Sequence, residues 1–89
     1  MRIKEYIWDE KNIEHIVQHG VHPEEVEEAC WNRPFILRGR SGSYLILSQT
    51  NDGRYLFIVY RYKGQGAIRA ITARDMTTAE RKLFQTRRK

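Results

Sequence analysis

The spacing of apolar positions changes period once along the chain, near Pro34. Residues 2–8 alternate Ile3, Glu5 and Ile7 against Lys4, Tyr6 and Trp8, which predicts a short strand. Asp9 then stands where an N-cap belongs, its carboxylate able to accept from the first free backbone N–H groups. Ile13, Ile16 and Val17 follow at i, i+3 and i+4, so a helix over 10–19 should bury that stripe, and Gly20 should close it. His22-Pro23 opens a second helix, with proline at its first position and Glu24 and Glu25 at the positive end of its dipole. Val26, Ala29 and Cys30 form its apolar stripe, and Asn32-Arg33-Pro34 stops it.

Beyond Pro34 the period is two. Residues 35–38, 44–50, 55–62 and 67–73 read as strands, separated by turns at 39–42, Asn51-Asp52-Gly53 and 63–66. Asp-Gly between β-rich runs is a strong hairpin signal. Thr77-Thr78-Ala79-Glu80 is a capping box that opens a last helix anchored by Leu83 and Phe84. The order β-α-α-β-β-β-β-α predicts an α+β fold over 1–89 as a single domain. In it an antiparallel meander carries helices, with Ile13, Ile16, Val17, Val26 and Cys30 packed on the sheet.

Composition narrows the setting. Cys30 is the single cysteine, flanked by Ala29 and Trp31, and reads as a small buried apolar residue in a reducing compartment. No apolar run reaches the length of a membrane span and no signal peptide heads the chain, so a soluble, cytoplasmic protein is expected. Charge changes the picture more. Residues 1–32 hold eight acids against three bases, a net −5, and residues 33–89 hold thirteen bases against three acids, a net +10. Ten of those thirteen bases are arginine, whose planar fork matches phosphate and carboxylate oxygens. Such a division points to a polyanion or an acidic protein segment as partner, against the plainer reading of solvated surface charge.

Three stretches bear a family resemblance. The Trp8-Asp9-Glu10 opening, His19-Gly20-Val21 ahead of an acidic helix, and Arg69-Ala70-Ile71-Thr72-Ala73-Arg74 leading into Thr77-x-x-Glu80-Arg81 together resemble the BrnT toxins. That resemblance implies a RelE/ParE-like fold and a ribonuclease of a type II toxin–antitoxin pair. RNA would be its substrate and a cognate antitoxin its inhibitor, in a homodimer or a toxin–antitoxin hetero-oligomer. It also implies roles for Arg69 and Arg74, which match the family's arginines, and for Tyr60, where the family has a tyrosine.

Metal-free RNA cleavage uses the 2′-hydroxyl as nucleophile. It needs a base for that proton, an acid for the leaving oxygen and cations over the phosphate. Arginine can do only the last, so Arg69 and Arg74 are the expected clamp. They are five apart, which on a regular strand means opposite faces, so both serve one site only if Arg74 lies beyond the strand's end. The alternative is that one of them pairs with Glu80 or a helix carboxylate. Tyr60 is the expected proton carrier, if neighbouring cations lower its pKa; otherwise it covers the sheet. His19 is the second carrier to weigh, although at a helix C-terminus it can instead bond a free carbonyl. Arg40, Arg54, Arg61 and Lys63 are the expected RNA contacts. His15, His19 and His22 lack an established ligand spacing, so no metal and no cofactor is expected. A non-catalytic nucleic-acid-binding module, or a domain that takes an acidic partner, explains the charge equally well.

Overall fold

The structure is a computed structural model that describes residues 3–87. Its elements run β1 (Glu5–Ile7), α1 (Glu10–Val17), α2 (Pro23–Trp31), β2 (Phe35–Arg38), β3 (Ser43–Gln49), β4 (Tyr55–Gly64), β5 (Ala67–Asp75) and α3 (Thr78–Arg87). Arg2 of the first expected strand, and Arg88 and Lys89 at the other end, lie outside the described residues. One five-stranded sheet has the order β1-β5-β4-β3-β2. β2 to β5 form the antiparallel meander, whereas β1 joins β5 in parallel. The sheet is therefore mixed at one edge. A parallel partner needs a long connection, and the chain from β1 to β5 supplies one.

The two faces are built differently. Ile46, Ile58, Tyr60, Ile68 and Ala70 belong to the core shared with Ile16 of α1 and with Val26, Ala29 and Cys30 of α2. On the opposite face α3 lays Phe84 over Leu47 and Met76, with Phe35, Tyr55 and Phe57 around them.

Local chemistry explains the helices. Asp9 accepts from the Asn12 N–H at 3.1 Å, and Asn12 Oδ1 accepts from the Asp9 N–H at 2.8 Å, a reciprocal cap on α1. Gly20, at φ +73°, turns the chain off the helix so that the Val21 N–H returns to the Ile16 carbonyl at 3.1 Å. The apolar stripe of α1 differs from its expectation at one end: Val17 is 44% exposed. Asn12 is buried instead, its amide donating to the Ile7 and Ala70 carbonyls at 2.8 and 3.1 Å. Two backbone acceptors beside the end of β1 thus take a polar group into the interface, and rotate the buried face of α1 away from Val17.

Candidate functional site

The register of β5 sets where its arginines point. Val59 pairs with Thr72 and Tyr60 with Ala70, so Ile71 is an extra residue, a β-bulge. The extra residue restores parity. Arg69 lies opposite Arg61, Thr72 opposite Val59 and Arg74 opposite Phe57, all on the face of the sheet that carries α3. Arg74 therefore does not lie beyond the end of the strand, the condition that its odd spacing from Arg69 set for sharing a face on a regular strand. It lies within β5, and the bulge lets both side chains leave the strand on one face, although their guanidinium groups part, that of Arg69 to Asp9 at the start of α1 and that of Arg74 to Glu80 of α3.

Each arginine is held by a carboxylate. Arg74 donates to Glu80 Oε1 and Oε2 at 2.8 and 3.0 Å, and its guanidinium lies 4.0 Å from the centre of the Phe57 ring. Arg69 forks onto both carboxylate oxygens of Asp9, the N-cap of α1. These hydrogen bonds hold the carboxyls of Glu80 and Asp9 below their ordinary range. A guanidinium has five N–H donors, of which Asp9 takes two, so Arg69 can face a further acceptor.

Arg69 also shares a small concavity, about 210 Å³, with Lys11, Asn12, His15 and Ile71. Lys11 and His15 are i, i+4 on the flank of α1 that faces β5. The His19 ring, one turn on, meets the His15 ring edge-on with centroids 5.6 Å apart. Two cations and an imidazole thus border a space that an anion could enter. By sequence, His15 and His19 are weighed with His22 as metal ligands, and neither is connected to Arg69. The spacing shows which side chains share a helix flank, but not which strand that flank meets.

Tyr60 is not brought to the arginines. It lies on the other face, is 0% exposed, and stacks on Tyr44 with centroids 5.4 Å apart and planes 19° from parallel. Burial pushes its phenol up to about 12, away from the range of a working base. Cations do not lower it as expected, because they are on the far side of the sheet. Its partners on β4 gave a readable signal: Leu56, Ile58 and Tyr60 alternate in step, and all three are buried.

The expected RNA contacts divide as well. Arg54 bonds Asp75 through Nε at 2.7 Å, and bonds Glu25 and the Gly20 carbonyl through one amino group at 3.0 and 2.8 Å. From the turn before β4 it ties β5 to α2 and to the turn between α1 and α2. Arg61 reaches the Ser41 carbonyl of the β2–β3 turn from the arginine-bearing face. Arg40 and Lys63 are exposed, Arg40 in that turn and Lys63 at a second bulge in β4. Among the described residues no three His, Cys, Asp or Glu side chains gather to hold a metal, and no helix is long and apolar enough to cross a membrane.

The fold has a solved counterpart. The 1.1 Å crystal structure of the Brucella abortus ribonuclease toxin BrnT superposes with a TM-score of 0.69, covering 83% of this chain and 97% of that one at 17% identity. At that identity the likeness shows the fold. No curated protein sequence matches the chain. The family profile described as the ribonuclease toxin BrnT of type II toxin–antitoxin systems matches residues 8–80, most of the chain. That span holds every residue of the Arg69 and Arg74 clusters, and the chain belongs to the BrnT family of ribonuclease toxins of type II toxin–antitoxin systems.

Proposed function

We propose that this chain cleaves RNA without a metal, by attack of the 2′-hydroxyl on the adjacent phosphate, at the concavity between α1 and β5. Arg69 and Lys11 hold the phosphate oxygens, His15 takes the 2′-hydroxyl proton, and His19 supplies a proton to the leaving 5′-oxygen. Arg74 and Arg61, on the same sheet face as Arg69, hold flanking phosphates. The carrying observation is the meeting of Arg69, Lys11 and His15 around one space of about 210 Å³. Cations there would meet the charge that builds on the phosphate, and an imidazole can both take and give a proton near neutral pH. The fixed Asp9–Arg69 fork supports the reading further, since a guanidinium held before substrate arrives need not be ordered during the reaction.

Cleavage of a structured RNA by purified protein, with EDTA present, tests this. Arg69→Ala should lower the rate on the order of 10²–10³, and His15→Ala by roughly 10²–10⁴. Full activity in His15→Ala removes the proton-carrier role. An inactive wild type that still binds RNA, with log K falling as log salt rises, would favour a non-catalytic binding module.

A further inference from the structure

We propose that the free edge of β2, with the grooves on either side of it, is the docking site for an extended, acidic segment of the antitoxin, which adds a sixth strand to the sheet. The antitoxin as partner rests on the family assignment; the site rests on four features of this chain.

β2 ends the strand order and is paired only with β3 among the described strands. Its sequence, Phe35-Ile36-Leu37, is apolar, and such an edge is a template for another strand. Trp31, at the end of α2, is 86% exposed. A large aromatic side chain left in water beside an open edge is the type of residue that anchors interfaces. Next, the start of β2 has a groove on each face. Ile3, Tyr6, Trp31 and Ile36 line one of about 560 Å³, and Phe35, Phe84 and Arg87 line one of about 220 Å³. Arg33 and Pro34 are common to both. Side chains of a strand alternate between faces, so a segment paired with β2 would drop successive side chains into one groove and then the other.

Charge selects the occupant. The residues lining the two grooves include Arg33 and Arg87 and no acid, and Arg38 is exposed at the far end of the strand. An acidic segment meets complementary charge there. A second copy does not: antiparallel pairing of β2 with β2 would set Arg33 of one chain near Arg38 or Arg40 of the other.

Arg33 also provides a clean variant. It holds φ +48°, a conformation that costs most residues energy and glycine little. Arg33→Gly should therefore fold at least as stably as wild type while losing the shared cation.

The experiment is calorimetric titration of the purified chain with its cognate antitoxin, together with amide hydrogen exchange at residues 35–38. Trp31→Ala should weaken binding roughly 30-fold, and Arg33→Gly should weaken it measurably, with melting temperatures at or above wild type for Arg33→Gly. RNA cleavage by free Trp31→Ala should equal that of wild type, and the binding result stands whether or not wild type cleaves. The outward-pointing β2 amides, those not already bonded to β3, should become protected only when the antitoxin is added. Unchanged affinity in both variants overturns the proposal, as does antitoxin binding with the β2 amides unprotected. Protection of β2 that grows with the chain's own concentration, without antitoxin, would assign the edge to a second copy and also overturn it.

Discussion

Arg74 and Glu80 are joined by two hydrogen bonds, and the same Glu80 carboxylate accepts from the Thr77 N–H at 2.9 Å. Thr77 reciprocates, its hydroxyl accepting from the Glu80 N–H at 3.2 Å. One side chain therefore begins α3 and ties that helix to β5. Glu80→Ala should cost about 1–2 kcal/mol, the cap plus a partly exposed ion pair, whereas Thr77→Ala loses only half the cap. Urea unfolding of the two variants separates the contributions; equal losses would mean that the ion pair adds nothing.

Acid should unfold the protein through three such pairs. Arg69, Arg54 and Arg74 lower the carboxyls of Asp9, Asp75 and Glu80 respectively. Their contribution is present above the unfolded value, about 4 for a free carboxyl, and is lost as pH falls through the lower folded values. Melting temperature should be flat between about pH 7 and 5 and fall below about 4. The fall should be shallower in Glu80→Gln, and an unaltered slope there would show that Glu80 does not contribute.

At the alkaline end the sign reverses. Burial raises the phenols of Tyr6 and Tyr60 from 10.0 to about 12. Below pH 10 both are neutral in either state. Between about 10 and 12 only the unfolded chain releases these protons, so stability falls as pH rises. Phenolate absorbance followed against pH should show late ionisation in the fold, and Tyr60→Phe should remove part of it. The same variant should keep its RNA cleavage.

Cys30 is buried, and its burial pushes the thiol from 9.0 to about 12. A thiol reagent at pH 8 should react with it only as fast as the chain opens, and quickly once urea is added. Rapid modification of the native protein would show that the thiol is reached without opening, through the groove that Cys30 lines with Tyr6 and Ile36.

Arg74→Lys separates charge from geometry. An ammonium retains the charge but cannot span both Glu80 oxygens or lie flat on Phe57. If Arg74 holds a flanking phosphate, Arg74→Ala should weaken RNA binding and reduce its salt dependence, and Arg74→Lys should recover only part. Equal binding by all three proteins would remove Arg74 from the RNA surface.

Much of the architecture was legible because local signals agreed with one another. The Asp9 and Thr77 caps, Gly20 and the Asp-Gly turn each lie at an element boundary. The parallel docking of β1 was not legible, since pairing between residues sixty-two apart leaves no local trace. Val17 was misread because the α1 stripe was taken as wholly apolar, whereas Asn12 is buried to serve two carbonyls. Of the site, the arginines were visible by type and position. Their common face was not, because no glycine or proline marks the bulge at Ile71. Lys11 and His15 were hidden for another reason: their helix flank acquires meaning only where α1 meets β5.

Ile71 also makes β5 a counted sequence. The halves on either side of it are out of phase, so losing one residue there would turn residues 67–70 over as a block. Arg69 would face the core, and Ile68 and Ala70 would face water. Substitution of Ile71 can be mild, since its side chain is partly exposed, but its deletion cannot. Drift in this segment should therefore hold the number of residues between the two arginines fixed even where the letters between them change.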